Sequence, residues 1–282
     1  VEDGLMKSKR FYYAYGIIES DEPGACFTAP QENMSAVRYR DLARGEEFYV
    51  GDEAPRENMS AARYRDLALV FREVTSPSLQ LSKENALAHH QVIARIMKKQ
   101  TIVPFSFGTI FNEPEEMTGL LAAAYGEIKK TLSQLENKLE LGLKVIWKKE
   151  ALANKLERDY AHLKYYKEEI LALPPESAYG PAILLGQKVE SAMQEMQSFY
   201  QERIYPPLQA ISLDARLNKP LNERMVLNAA FLVSRDQEAG FDAKVNELYE
   251  QYHGQFDFMY SGPWPPYNFI DLKLNRCLVE RG

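Results

Sequence analysis

Leu139-Glu140-Leu141-Gly142-Leu143-Lys144-Val145-Ile146-Trp147 decides how the C-terminal half of this chain reads. Leu139, Leu141, Leu143, Val145 and Trp147 recur at every second position, which puts them on one face of a strand. Beyond it come two long helical patterns, one carrying Leu152, Leu156, Leu163 and Ile170, the other Leu185, Val189, Ala192, Met196 and Phe199. Leu173-Pro174-Pro175-Glu176 breaks them apart, because proline lacks the donor and the backbone freedom a continuing helix needs. The pair is expected to pack as an antiparallel helical hairpin. After Tyr205-Pro206-Pro207 the pattern returns to strands at 211–217 and 225–233, a helix at 238–252 and a strand at 256–260. That succession is the βαββαβ of a ferredoxin-like domain, modified by an added long helical hairpin, over residues 139–282.

Upstream, Phe11 to Ile18 reads as a buried strand closed by the turn residues Asp21, Pro23 and Gly24. Lys7, Lys9 and Arg10 before it and Cys26 after it give the outline of a short signal peptide, but Glu19, Asp21, Glu22 and Pro23 occupy the place of a small-residue cleavage region, so a strand is expected. The block Ala29 to Ala43 then recurs at Ala54 to Ala68, differing only at Gln31/Arg56 and Val37/Ala62. Two copies are too few for a solenoid. The second runs into Leu67-Ala68-Leu69-Val70-Phe71, a core-like strand, whereas the first runs into Arg44-Gly45-Glu46-Glu47, so residues 29–53 read as a surface insertion. A helix capped by Ser82, a strand from Thr101 through Phe105 to Phe111, and a helix capped by Asn112 and opened by Pro114 complete an N-terminal α+β domain over 1–138. The whole is expected to be α+β in two domains.

The 282 residues, 45% hydrophobic, suffice for buried cores, and 34 Lys and Arg against 40 Asp and Glu give a net charge of −6. An acidic balance gives no support to nucleic acid or to an anionic membrane as partner. No apolar stretch approaches the roughly 18 residues of a membrane span. Cys26 and Cys277 form neither a disulfide framework nor a metal spacing, which fits a reducing cytoplasm. Dinucleotide, zinc-protease, nucleophile-elbow and dithiol motifs are all missing. Gly180 to Gly186 has the wrong spacing for a phosphate loop and Gln187 where its lysine belongs, so it reads as a helix entrance. His89 and His90 are neighbours on a helix and point about 100° apart, unlike a ligand pair. The chain is expected to have no catalytic centre, cofactor or metal.

Gly262-Pro263-Trp264-Pro265-Pro266-Tyr267-Asn268-Phe269 holds two aromatics on a stiff backbone poor in hydrogen-bond donors. Such a turn either folds its tryptophan onto the core or presents a rigid aromatic patch to a protein partner. On the second reading Trp264, Pro265, Pro266 and Tyr267 are the candidate partner-binding residues, with Phe269 turned into the core.

With Tyr12 to Ile18, Tyr64 to Val70, His90, Val103-Pro104-Phe105-Ser106-Phe107-Gly108-Thr109-Ile110-Phe111 and Leu139 to Lys144, this turn is similar in order and spacing to the gas vesicle accessory family GvpL/GvpF, across nearly the whole chain. Ser106, at a position often basic in that family, and the duplicated block are departures. The resemblance implies a two-domain α+β protein of gas vesicle formation, without enzyme activity, in the cytoplasm with the vesicles. It implies contact with the small apolar shell subunit GvpA and with other accessory proteins, as an assembly factor or, alternatively, as a minor constituent on the gas-facing side of the shell.

Overall fold

The computed structural model describes residues 9–20 and 59–270, together with the backbone of 37–41 and 46–50. In chain order the elements are β1 (Phe11–Glu19), β2 (Val37–Asp41), β3 (Glu46–Val50), β4 (Ser60–Tyr64), β5 (Leu67–Val74), α1 (Lys83–Met97), β6 (Ile102–Pro104), β7 (Ile110–Phe111), α2 (Pro114–Ala123) and α3 (Tyr125–Leu135). They continue as β8 (Lys138–Trp147), α4 (Lys149–Asp159), α5 (Ala161–Leu171), α6 (Pro175–Gln209), β9 (Asp214–Leu217), β10 (Met225–Ser234), α7 (Glu238–Tyr252) and β11 (Phe256–Trp264). The chain is mixed α and β. It divides into one unit of residues 1–38, 48–140 and 262–282 and another of 39–47 and 141–261. Where the sequence suggested a single boundary after residue 138, the division falls after Glu140 and again after Ser261, because Trp264 and Tyr267 pack with α1 and its cluster.

The first unit is a sheet in the order β4-β5-β1-β6, with β7 also paired to β1. Leu67, Leu69 and Phe71 of β5 join Ala14 and Ile17 in a cluster with Met117, Leu121, Ile128 and Leu132 of α2 and α3. Ala68 and Val70 face the other way, with Tyr13, Tyr15 and Ile18, into a cluster with Ile93 and Ile96 of α1. The pleat alternates sides residue by residue, so both faces of this sheet must be apolar. A register shift between Ala14 and Gly16 moves Ile17 to the face opposite Tyr13 and Tyr15. At Gly16 a Cβ would lie 2.7 Å from the Val103 carbonyl oxygen and 2.6 Å from Ile102 Cδ1, so β1 meets β6 closely only because this residue is glycine.

Local expectations hold where a cap carries them. Ser82 Oγ accepts from the Asn85 N–H at 3.1 Å and starts α1. At α2 the capping position is Glu113 rather than Asn112, whose N–H instead donates to Glu116 Oε2 at 2.8 Å. The helix expected from Pro114 is two helices, parted at Ala124, which leaves helical geometry at φ −106°, ψ 15°. Of the segment 105–111 only Ile110 and Phe111 are strand, since Ser106 to Thr109 form a turn with Gly108 at φ 89°.

In the second unit the strands lie in the order β3-β2-β11-β8-β10-β9. Trp147, 1% exposed, packs 4.3 Å from Phe256 and 5.2 Å from Tyr200 between ring centroids, while Phe231 and Phe241 lie 5.1 Å apart. The first hairpin helix is broken at Tyr160 into α4 and α5. The second, α6, runs 35 residues and contains Pro181, Pro206 and Pro207. Fully buried Ile204 and Leu208 hold its last turns against the cost of those prolines. Gly180 and Gly186 lie inside α6, not at its entrance. Val37–Asp41 of the first copy is a strand between β3 and β11, so this stretch is sheet rather than loop. The remainder of that copy, Cys26 and Cys277 lie outside the described residues.

Candidate interaction surfaces

Gly262 has φ 140°, a conformation L side chains avoid, and a cis bond joins it to Pro263. The turn that follows is drawn inward. Trp264 sets its ring edgewise on His90 with centroids 4.4 Å apart, and Pro265 and Pro266 are buried. Half-buried Tyr267 packs beside the α1 cluster, and burial among neighbours that include Tyr13 and Glu140 pushes its hydroxyl far above the usual tyrosine range. Phe269, expected to be the inward residue, stays half exposed. Asn268 anchors the turn: its N–H donates to Glu140 Oε2 at 2.8 Å and its side-chain amide to Oε1 at 2.6 Å, satisfying a carboxylate only 5% exposed. Of the four sequence candidates, Trp264 and Tyr267 therefore offer a partner their rims alone.

Two buried histidines stand behind this turn. The Phe105 carbonyl accepts from His89 Nε2 at 3.0 Å, so Nδ1 carries no proton and accepts from the Tyr13 hydroxyl at 2.7 Å. Burial first and Arg72 second lower its pKa to about 4. His90 falls to about 4 as well, through burial and the charge of His89. This geometry fixes a neutral His89 ring that links β1, α1 and the 105–109 turn. Among the described residues no three His, Cys, Asp or Glu side chains converge as metal ligands.

Asp66, in the turn between β4 and β5, accepts from the Tyr125 hydroxyl at 2.7 Å and from Lys129 Nζ at 2.8 Å, and Lys129 also reaches Glu19 at 2.7 Å. These donors hold the Asp66 carboxyl down at about 2. The cluster ties α3 to the sheet.

Exposed apolar side chains also gather on α5 and α6. Leu163, Ile170, Ala192 and Met196 of the sequence stripes are buried there. Leu171 (74% exposed), Tyr179 (75%), Ile183 and Leu184 are not. A groove of about 480 Å³ runs between the helices, with Leu156, Leu163, Leu185 and Val189 on its floor and Glu157 and Lys164 on its rim. Sequence reading singles out no residue at this end of the hairpin, although the signal was available: Leu171, Leu173, Tyr179, Ile183 and Leu184 bracket Pro174-Pro175 outside the stripe that packs. Among the described residues no helix is long and apolar enough to cross a membrane.

The family pattern described as "Gas vesicle synthesis protein GvpL/GvpF" matches residues 11–271. Gas vesicle protein F1 of Halobacterium salinarum is 23% identical over 265 residues, 93% of each chain. Gas vesicle protein F of Haloferax mediterranei is 23% identical over 267, covering 93% of this chain and 94% of that one. Among solved structures, GvpF from Anabaena superposes with a TM-score of 0.70 at 19% identity, over 93% of this chain and 98% of the other. GvpF from Microcystis aeruginosa gives 0.66 at 18%, over 93% and 99%. At such identities the structures share the fold, and the match along the sequence carries the kinship: the chain belongs to the GvpL/GvpF family, and its role is in gas vesicle formation.

Proposed function

We propose that the protein works by binding rather than catalysis, as an assembly factor that covers the apolar surface of the shell subunit GvpA before that subunit enters the vesicle wall. The observation that carries this reading is the set of apolar side chains left in solvent where α5 meets α6, beside an apolar groove. Exposed apolar patches of this kind mark interaction sites. The succession β8, α4–α6, β9, β10, α7, β11 supports reading the unit that bears them as a modified ferredoxin-like domain. The cytoplasm, in company with vesicles and other accessory proteins, is the setting this role needs.

Tyr179→Glu with Ile183→Glu tests it. Both positions are exposed, so the melting temperature should hold while capture of GvpA and vesicle yield fall at least tenfold. Full capture by the folded variant would move the contact to the rims of Trp264 and Tyr267, where Trp264→Ala with Tyr267→Ala is the matching test. Persistence of the protein on washed vesicles would favour the alternative, a minor constituent on the gas-facing side of the shell.

A further inference from the structure

The sheet of the second unit ends at β9, where Asp214–Leu217 pairs with β10. Leu217 lies opposite Ala229, and the next residue, Asn218, donates to the Asn228 carbonyl at 2.7 Å. An antiparallel ladder uses every second residue, so Asp214 and Arg216 bond inward to β10 while Ala215 and Leu217 turn their N–H and C=O groups to the open side. Ala215 shows this directly: its N–H is met by the side chain just before it, Asp214 Oδ1, at 2.8 Å. Leu213, Asp214 and Leu217 are exposed at this edge. We infer that β9 is a self-recognition edge, on which a second copy of this chain pairs antiparallel about a two-fold axis at Ala215 and joins the two sheets into one.

Charge and register favour a second copy as the occupant. Natural sheet edges carry charges that repel further strands. In β9 the two charges are of opposite sign and flank Ala215 symmetrically. With Ala215 opposite its own copy, Asp214 of each chain faces the partner's Arg216, and Leu217 comes to the end of the strand where the partner's exposed Leu213 stands. Opposite charges directly across a ladder attract and like charges repel. Sliding the pairing by one pleat in either direction sets Asp214 against Asp214 or Arg216 against Arg216, so the strand specifies one register and rejects its neighbours.

The hydrogen bonds exchange one for one. Each Ala215 N–H passes from Asp214 to the partner's Ala215 carbonyl, which releases the Asp214 carboxylate to the partner's Arg216. Arg216 already makes a contact within its own chain, and the five donors of a guanidinium serve a further acceptor beside it. Such an interface is isologous, the commonest arrangement of homodimers. So short a ladder belongs with the small interfaces, and the association is weak and reversible.

Sedimentation equilibrium of the full chain, from about 1 μM to about 1 mM, tests this. Wild type should show a monomer–dimer equilibrium that Arg216→Asp or Asp214→Arg weakens at least tenfold, since either variant sets like charges across the axis. An equimolar mixture of the two variants should dimerise again, because every cross-strand pair is then of opposite sign. Circular dichroism and melting temperature report whether each variant folds. Ala215→Pro deletes the outward N–H at a position where an edge strand accepts proline, and it should weaken dimerisation as much without touching either charge. A chain monomeric throughout the range, a dimer indifferent to the single changes, or a mixture no more associated than its components would overturn the inference.

Discussion

Asn268 closes on Glu140 with its backbone N–H and its side-chain amide together, at 2.8 Å and 2.6 Å. Two motifs 128 positions apart thereby become one contact, in which a buried carboxylate is served by the residue that ends the proline-rich turn. Asn268→Ala removes one donor and leaves the carboxylate under-satisfied, so we expect a loss of about 2 kcal/mol in denaturant unfolding. Glu140→Leu with Asn268→Leu should lose less than the two single changes summed.

Gly16→Ala should cost about 3 kcal/mol, because the added methyl meets the Val103 carbonyl, a backbone atom that cannot rotate away. Gly186→Ala is the contrasting change. It lies inside α6 with nothing within 4 Å of a Cβ, and a gain of about 0.5–1 kcal/mol is expected there. Paired melts of the two variants check both.

Acid should weaken the first unit in a definite window. His89 and His90 titrate near 4 in the fold, against the ordinary 6.5 once unfolded. Between those values the unfolded chain binds more protons, so stability falls as pH drops from about 6.5 to about 4 and is level above it. The loss amounts to at most about 3 kcal/mol for each histidine. His89→Gln with His90→Gln should flatten the profile of unfolding free energy against pH.

Trp264→Ala should lower stability by about 2 kcal/mol, less than a fully buried tryptophan would, because the residue packs on His90 but is only partly buried. A melting temperature equal to wild type would return the turn to the surface role that its composition first suggests.

Much of the architecture was readable where local chemistry and tertiary demand agree. The alternation of Leu139 to Trp147, the helix 238–252 and the Ser82 cap all name their own structure. The proline pairs were misleading. Leu173-Pro174-Pro175 parts two helices, while Pro206-Pro207 sits within one, because only tertiary burial of Ile204 and Leu208 distinguishes them. The same holds for Trp264 and Tyr267, whose stiffness is visible in sequence but whose inward direction depends on His90 and the Glu140–Asn268 contact. The first copy of the block shows the limit most plainly: nearly identical sequence enters two sheets, so strand partners rather than local preference assign its place.

The chain holds two tryptophans, Trp147 sealed among rings in one unit and Trp264 half in water in the other. It therefore carries a native fluorophore for each unit, with no label needed. Trp147 should emit toward the blue and Trp264 toward the red, and an imidazolium at His90 should quench the second alone. A single emission spectrum, followed through acid or denaturant, then separates the melting of one half of the molecule from that of the other.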